Sequence, residues 1–139
     1  MKKGLLFLLA LPLLIASCTK TVINNNNNNT VTGRWVLSYA EKQTAYGTKS
    51  IYTGFEEGTF YFYDNGQAIY DDGYDYMKGT WNWSFHGGSR DRFSLYLYDS
   101  YSGRTANWNF DESWFNGRNQ FTAVYSTYEA DYYYVFERY

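Results

Sequence analysis

The sequence predicts an all-β protein, an antiparallel up-and-down meander of about eight strands that closes into a barrel. From residue 33 to the end, short runs rich in aromatic and β-branched residues alternate with Gly, Asn and Asp. Within most runs apolar and polar residues alternate, which is typical of antiparallel strands with one packed and one solvated face. The intervening turns are short, and a sheet of this many strands must curl and close or split into two layers.

The first half of this region contains three predicted strands and one weaker candidate. Residues 34–40 place Trp35, Leu37 and Tyr39 on one side of the first strand. Residues 58–66 form a strand that runs into Asn65-Gly66, a strong hairpin signal, and residues 67–73 return from that turn. Residues 49–55 are the weaker candidate.

The second half contains five more predicted strands. They lie within residues 79–85, 92–98, 105–111, 119–126 and 132–139. Alternation directs one set of large side chains inward: Trp81, Trp83, Phe85, Trp108, Phe110, Phe121 and Tyr125. No amphipathic helix of any length is predicted, and residues 110–115 are expected to form at most one helical turn.

The amino-terminal residues have the layout of a bacterial export signal. Lys2 and Lys3 precede an apolar stretch of about a dozen residues, which is shorter than the ~20 needed to cross a bilayer. The stretch ends in Ile15-Ala16-Ser17-Cys18, which resembles the lipobox of bacterial lipoproteins. The resemblance implies cleavage before Cys18, diacylation of its thiol and acylation of the new amino terminus. Several acyl chains anchor a protein stably, so a lipid-anchored outer-membrane protein, at the periplasmic face or the cell surface, is expected.

The remaining composition indicates one domain on a tether. We assign residues 1–17 to the signal peptide, 18–32 to the lipidated cysteine and an Asn-rich tether, and 33–139 to the β-domain. Six consecutive asparagines, residues 24–29, have no apolar face to bury. The chain without residues 1–17 has ten Lys and Arg against fourteen Asp and Glu, a formal charge of −4. This charge makes nucleic acid a poor candidate partner.

Four short motifs in order resemble the small lipocalin-like domains of Bacteroidota lipoproteins. They are the "GRW" at residues 33–35, "GFEEGTFYFYDNG" at 54–66, "KGTWNWSF" at 78–85, and "YYYVFERY" at 132–139. The resemblance implies a lipocalin-like barrel in which Trp35 and Arg138 form a structural pair that closes one end, a cation over a ring face. It also implies non-covalent binding of a small, mostly apolar molecule inside the barrel.

Two binding modes stay open at this point. In the first, a small apolar ligand occupies a cup, and its candidate lining residues are Trp83, Phe85, Trp108, Phe110 and Tyr125. In the second, side chains fill the barrel, and a tyrosine-rich outer face binds a protein or a glycan. The outward candidates are Tyr61, Tyr63, Tyr96, Tyr98 and Tyr133.

The sequence does not favour an enzyme or a metal protein, and it indicates no cofactor. His86, the only histidine, lies beside two glycines without a cysteine or an activated serine to accompany it, so we interpret it as a loop residue. Asp71, Asp72 and Asp75 surround Gly73, but their spacing does not match an EF-hand loop. A solvated hairpin turn is the preferred interpretation of that segment.

Overall fold

The computed structural model describes residues 30–85 and 90–139, which form one antiparallel sheet. Its ten strands are β1 (Gly33–Thr44), β2 (Gly47–Ile51), β3 (Thr59–Phe62), β4 (Gln67–Asp71), β5 (Tyr76–Ser84), β6 (Arg92–Tyr98), β7 (Thr105–Asn109), β8 (Glu112–Phe115), β9 (Gln120–Ser126) and β10 (Asp131–Arg138). The all-β prediction is confirmed. The described residues include no helix with the length and apolarity needed to span a bilayer. The predicted lipidation site Cys18, the Asn-rich run and His86 lie outside the described residues.

The sheet is rolled but open, so the prediction of a closed, eight-stranded barrel is wrong in both closure and strand number. The strand order is β7-β6-β5-β4-β3-β1-β10-β9-β8, with β2 paired beside β1. The two edge strands, β7 and β8, follow each other in the chain and are joined by Phe110 and Asp111. The amide of Phe110 donates to the Phe93 carbonyl, and the amide of Asp111 donates to the Val124 carbonyl. Adjacent residues therefore bond to opposite ends of the sheet, which brings its edges together without a continuous ladder.

The two additional strands come from segments that the sequence indicated weakly or wrongly. β2 begins inside a tight turn and pairs along the second half of β1, from Ala40 to Thr44. It overlaps the weak candidate at residues 49–55 only over residues 49–51, and the rest of that candidate lies in the segment between β2 and β3. β8 replaces the single helical turn expected near residues 110–115 and pairs with β9 from Glu112 to Phe115. A four-residue strand contains too few alternating positions to be distinguished from a turn.

A β-bulge in β1 changes which side chains enter the core. The pairing of β1 with β10 shifts register between Leu37 and Tyr39, so Ser38 is the extra residue. As a result Ala40 is buried, whereas Tyr39 is 48% exposed. The prediction that Trp35, Leu37 and Tyr39 share one face is therefore wrong for Tyr39. One inserted residue reverses the alternation beyond it.

The inside of the rolled sheet is a continuous aromatic core. Trp35, Phe60, Tyr70, Phe93 and Phe121 are each at most 1% exposed. Their rings meet at edge-to-face and offset angles; for example, Phe93 and Phe121 lie 5.4 Å apart between centroids at 75°. Burial of rings this large is the main stabilising contribution that a domain of this size can draw on, since no disulfide crosses its described residues.

Candidate functional site on the outer face of the sheet

Three of the five residues predicted to line a cup instead pack against other rings in the interior. Trp83 lies 4.9 Å from Phe115 and Trp108 lies 5.2 Å from Tyr134, measured between ring centroids. Phe110 is 3% exposed and stacks with Phe93. The side chains that would form the walls of a cup are therefore in contact with other rings of the interior.

The other two residues predicted to line the cup, Tyr125 and Phe85, lie at the margin of the interior. Tyr125 is half-buried and stacks face to face on Tyr132, with centroids 4.5 Å apart. Phe85 follows the last residue of β5 and is 46% exposed, so the prediction that it points inward is wrong. Alternation applies only while a strand continues, and β5 ends at Ser84.

Trp35 and Arg138, the pair predicted to close one end, lie together at that end. The guanidinium carbon of Arg138 is 4.4 Å from the centroid of the Trp35 ring. Arg138 also donates to the carbonyls of Thr30 and Thr32, at 2.7 and 3.1 Å, and burial lowers its pKa. A Cβ at Gly33, whose φ is +129°, would lie 2.7 Å from Arg138 Nη1. The glycine of the "GRW" motif therefore leaves space for the arginine.

At the opposite side of the core, Phe55 inserts into the interior from the segment between β2 and β3. Its ring lies 5.0 Å from both Tyr70 and Trp108. The Arg104 guanidinium covers the outer side of this ring at 4.2 Å, pairs with Asp75 and donates to the carbonyl of Gly54. Burial, and then the adjacent Asp72 carboxylate, raise the pKa of Tyr70. This side of the core is therefore covered as well.

The outer face of β3 to β7 carries a different set of side chains. One row across the strands contains Tyr61, Ile69, Lys78, Tyr98 and Thr105, each register partner of the next. Tyr98 is 43% exposed, and Tyr63 at the end of β3 is 44% exposed. Of the predicted outward tyrosines, Tyr133 lies apart from this face, on β10 opposite Glu41 and Val124.

A groove runs along the outer face where β5, β6 and β7 lie side by side. Its volume is about 380 Å³, and it continues into a second pocket of about 240 Å³. We call it the asparagine groove and define it by six outward side chains: Thr80, Asn82, Ser94, Tyr96, Asn107 and Asn109. The register pairs them in two rows, Asn82–Ser94–Asn109 and Thr80–Tyr96–Asn107. Arg92 and Asp111 border the far end of the second pocket.

The polar groups of this groove are available, unlike those of the turns. Within residues 30–85 and 90–139, no hydrogen bond engages the side chains of Thr80, Asn82, Ser94 or Tyr96, and Asn109 donates only to Asn107, at 3.2 Å. The carboxylates of the turns, in contrast, accept hydrogen bonds from nearby groups: Glu56, Asp71, Asp72, Asp91, Asp99 and Asp111. The turn carboxylates therefore serve the fold, and the groove offers free donors and acceptors.

The Asp-rich turn considered as a calcium candidate is organised around itself. Asp71 accepts from the amide of Gly73, and Asp72 accepts from the amides of Tyr74 and Asp75. Burial opposes ionisation of Asp72, but these amides, the Tyr70 hydroxyl and Arg104 lower its pKa overall. The described residues contain no cluster of His, Cys, Asp and Glu suited to hold a metal ion.

Sequence reasoning missed the asparagine groove, although it noted its parts. The outward positions of "TWNWS" on β5 are Thr80, Asn82 and Ser84, and those of "NWNF" are Asn107 and Asn109; these polar residues were visible in the alternation. The register that places Asn82 and Asn109 on either side of Ser94 depends on pairing between distant segments. A cluster of neutral amides at alternating positions was the available signal.

Comparison with known proteins leaves the fold and the groove as the basis for functional interpretation. No protein-family model, no curated protein and no solved structure matches the chain.

Proposed function

We propose that the chain is a lipid-anchored, non-enzymatic binding protein of the bacterial outer membrane that contacts its partner through the outer face of β3 to β7. The observation that carries this proposal is the contrast between the two sides of the sheet. Inside the sheet, other aromatic rings pack against the predicted cup residues Trp83, Trp108 and Phe110. Tyr63, Tyr96 and Tyr98 stay 43–48% exposed outside.

Exposed tyrosines support binding because each offers a large, rigid contact area at a low cost in conformational entropy. On this face they adjoin polar groups that the fold does not use, namely those of the asparagine groove. An internal carrier is the alternative function, and the ring contacts of its predicted lining argue against it. The lipocalin-like resemblance is compatible with either mode, since a small rolled sheet can be filled or hollow.

The first experiment titrates the full-length protein, in detergent micelles, with an environment-sensitive fatty-acid probe. We expect no saturable one-to-one binding, because the predicted cup positions are occupied. A known fatty-acid carrier in the same micelles serves as the positive control. One-to-one binding that is lost in Ala106→Leu, which adds bulk inside the sheet, would contradict the proposal and favour the internal carrier.

The second experiment measures retention of the same protein on immobilised envelope fractions, protein and polysaccharide separately. We expect retention on one fraction, reduced about tenfold or more when Tyr96 and Tyr98 are replaced by Ala. Tyr39→Ala is the matched control, since Tyr39 and Tyr96 are both 48% exposed but lie on different parts of the sheet. Equal losses in both variants would speak against a role for this face.

A further inference from the structure

We propose that the asparagine groove binds a neutral glycan. This inference rests on the part of the proposed function that places binding on the outer face, and it names the ligand class of that face. The groove lies in a concave part of the outer surface, its lining also includes Gly66 and Trp81, and it adjoins the second pocket. Its chemistry, its one exposed ring and its length each point to this class of ligand.

The two rows that define the groove carry polar groups and no Asp, Glu, Lys or Arg, whereas Arg92 and Asp111, of opposite charge, border the second pocket. Asn82, Asn107 and Asn109 each present both a carbonyl acceptor and amide donors, and Thr80 and Ser94 present hydroxyls. A phosphate or carboxylate ligand would be expected to face Arg or Lys, and a cation would be expected to face carboxylates. A ligand rich in hydroxyl groups, each of which donates and accepts, matches a surface of amides and hydroxyls.

Tyr96 adds a flat ring to this polar surface. It occupies the centre of its row, between Thr80 and Asn107, and is 48% exposed. A sugar ring has an apolar face of C–H groups and a polar edge of hydroxyls. Contact of that apolar face with the tyrosine ring leaves the edge hydroxyls directed toward the neighbouring amides, so the ring and the asparagines would act together.

The groove extends along the strands over more than one row. Successive outward residues of a strand lie about 7 Å apart, so the rows through Tyr96, Ser94 and Arg92 form an elongated track. The two pockets share Asn82, Ser94 and Asn109, which makes them neighbouring parts of one surface. An oligosaccharide that spans both pockets would contact more of these groups than a monosaccharide does.

The test is calorimetric titration of the full-length protein in a detergent without a sugar headgroup. The probes are neutral hexasaccharides of glucose, xylose, mannose and N-acetylglucosamine, the corresponding monosaccharides, and a hexasaccharide of galacturonic acid as the charged comparison. We expect saturable binding of at least one neutral hexasaccharide, tighter than that of its monosaccharide and of the acidic hexasaccharide. Tyr96→Ala and the double variant Asn82→Ala, Asn109→Ala should each weaken it about tenfold or more.

Two exposed positions outside the groove provide the matched controls. Tyr39→Ala removes a ring of equal exposure on β1, and Asn119→Ala removes an exposed amide beside β9. Both should bind like the unmodified protein, and circular dichroism should show all variants folded. Preference for the acidic hexasaccharide, binding that the groove variants leave unchanged, or no binding of any neutral probe would each overturn the inference. If the face still retained an envelope protein fraction, only the ligand class would be wrong, whereas internal fatty-acid binding would contradict the proposed function itself.

Discussion

At the scale of single residues, the close approach of β5 and β6 depends on Gly79. Gly79 faces the interior between Ala68 on β4 and Leu97 on β6. A Cβ at this position would fall far inside van der Waals contact with the backbone carbonyl of Tyr96, which cannot move aside as a flexible side chain would. We expect Gly79→Ala to lower the free energy of unfolding by at least about 2 kcal/mol and the melting temperature by roughly 10 °C. Thermal denaturation followed by circular dichroism measures this.

The neighbouring residue provides the control for Gly79→Ala. Thr80 points outward and is exposed, so Thr80→Ala changes the same strand without forcing a backbone shift. We expect a change of about 0.5 kcal/mol or less for Thr80→Ala. If the two variants had equal stability, the close approach of β5 and β6 at Gly79 would not be required by the fold.

At the scale of elements, Arg104 links three connecting segments through hydrogen bonds, an ion pair and a cation–π contact. From the residue just before β7 it reaches Gly54 and Phe55 between β2 and β3, and Asp75 in the turn between β4 and β5. Its side chain is 28% exposed, so solvent weakens these interactions only in part. We expect Arg104→Met to cost about 1–3 kcal/mol at neutral pH, because a part-buried carbonyl and a carboxylate lose their donor. Arg118→Met, at an exposed arginine, is the control.

The interactions of Arg104 with carboxylates should weaken in acid. Burial opposes ionisation of Asp72, but the amides of Asp75 and Tyr74, the Tyr70 hydroxyl and finally Arg104, 3.6 Å away, lower its pKa in the folded state. The stability that ionised Asp72 contributes, including the part that it owes to Arg104, is therefore present above its ordinary pKa of 3.8 and is lost as the pH falls through the folded value. We therefore expect the difference in free energy of unfolding between the unmodified protein and Arg104→Met to become smaller below about pH 4. Denaturant unfolding at a series of pH values measures this difference. A difference in free energy of unfolding that stays constant with pH would contradict a role for carboxylates in the interactions of Arg104.

Comparison of the predicted with the observed strands shows which features of the fold a single sequence can predict. Alternation predicted that β5, β6 and β7 exist and which of their residues face inward, because each strand has one packed and one solvated face, but it missed the ends of β5 and β7. It failed at Tyr39, where a bulge at Ser38 reverses the pattern, and at Phe85, which follows the end of its strand. Bulges, strand ends and register depend on the partner strand, and a single sequence does not encode that partner locally. For the same reason the groove residues were visible individually but not as a cluster.

At the scale of the whole molecule, the rolling of the sheet decides which side chains face solvent. β7 and β8 lie at opposite ends of the strand order, and Phe110 and Asp111 join them. This rolling turns the aromatic side inward and leaves the asparagine groove on the outside. In the proposed lipid-anchored protein, a groove on the outside of the sheet suits a ligand that belongs to the envelope or its surroundings.

The anchor itself is a prediction about one atom, the sulfur of Cys18, because the chain contains no other thiol to acylate. We expect mass spectrometry of the membrane-extracted protein to show a chain that begins at Cys18 and carries acyl groups on its sulfur and its amino terminus. Incorporation of a labelled palmitate analogue should be lost in Cys18→Ser and retained in the control Thr19→Ser. An unmodified or unprocessed chain would contradict the anchor, and the outer face would then belong to a protein without a lipid tether. Because residues 30–139 contain the whole described sheet, that result would leave the glycan inference intact and change only where its ligand is to be sought.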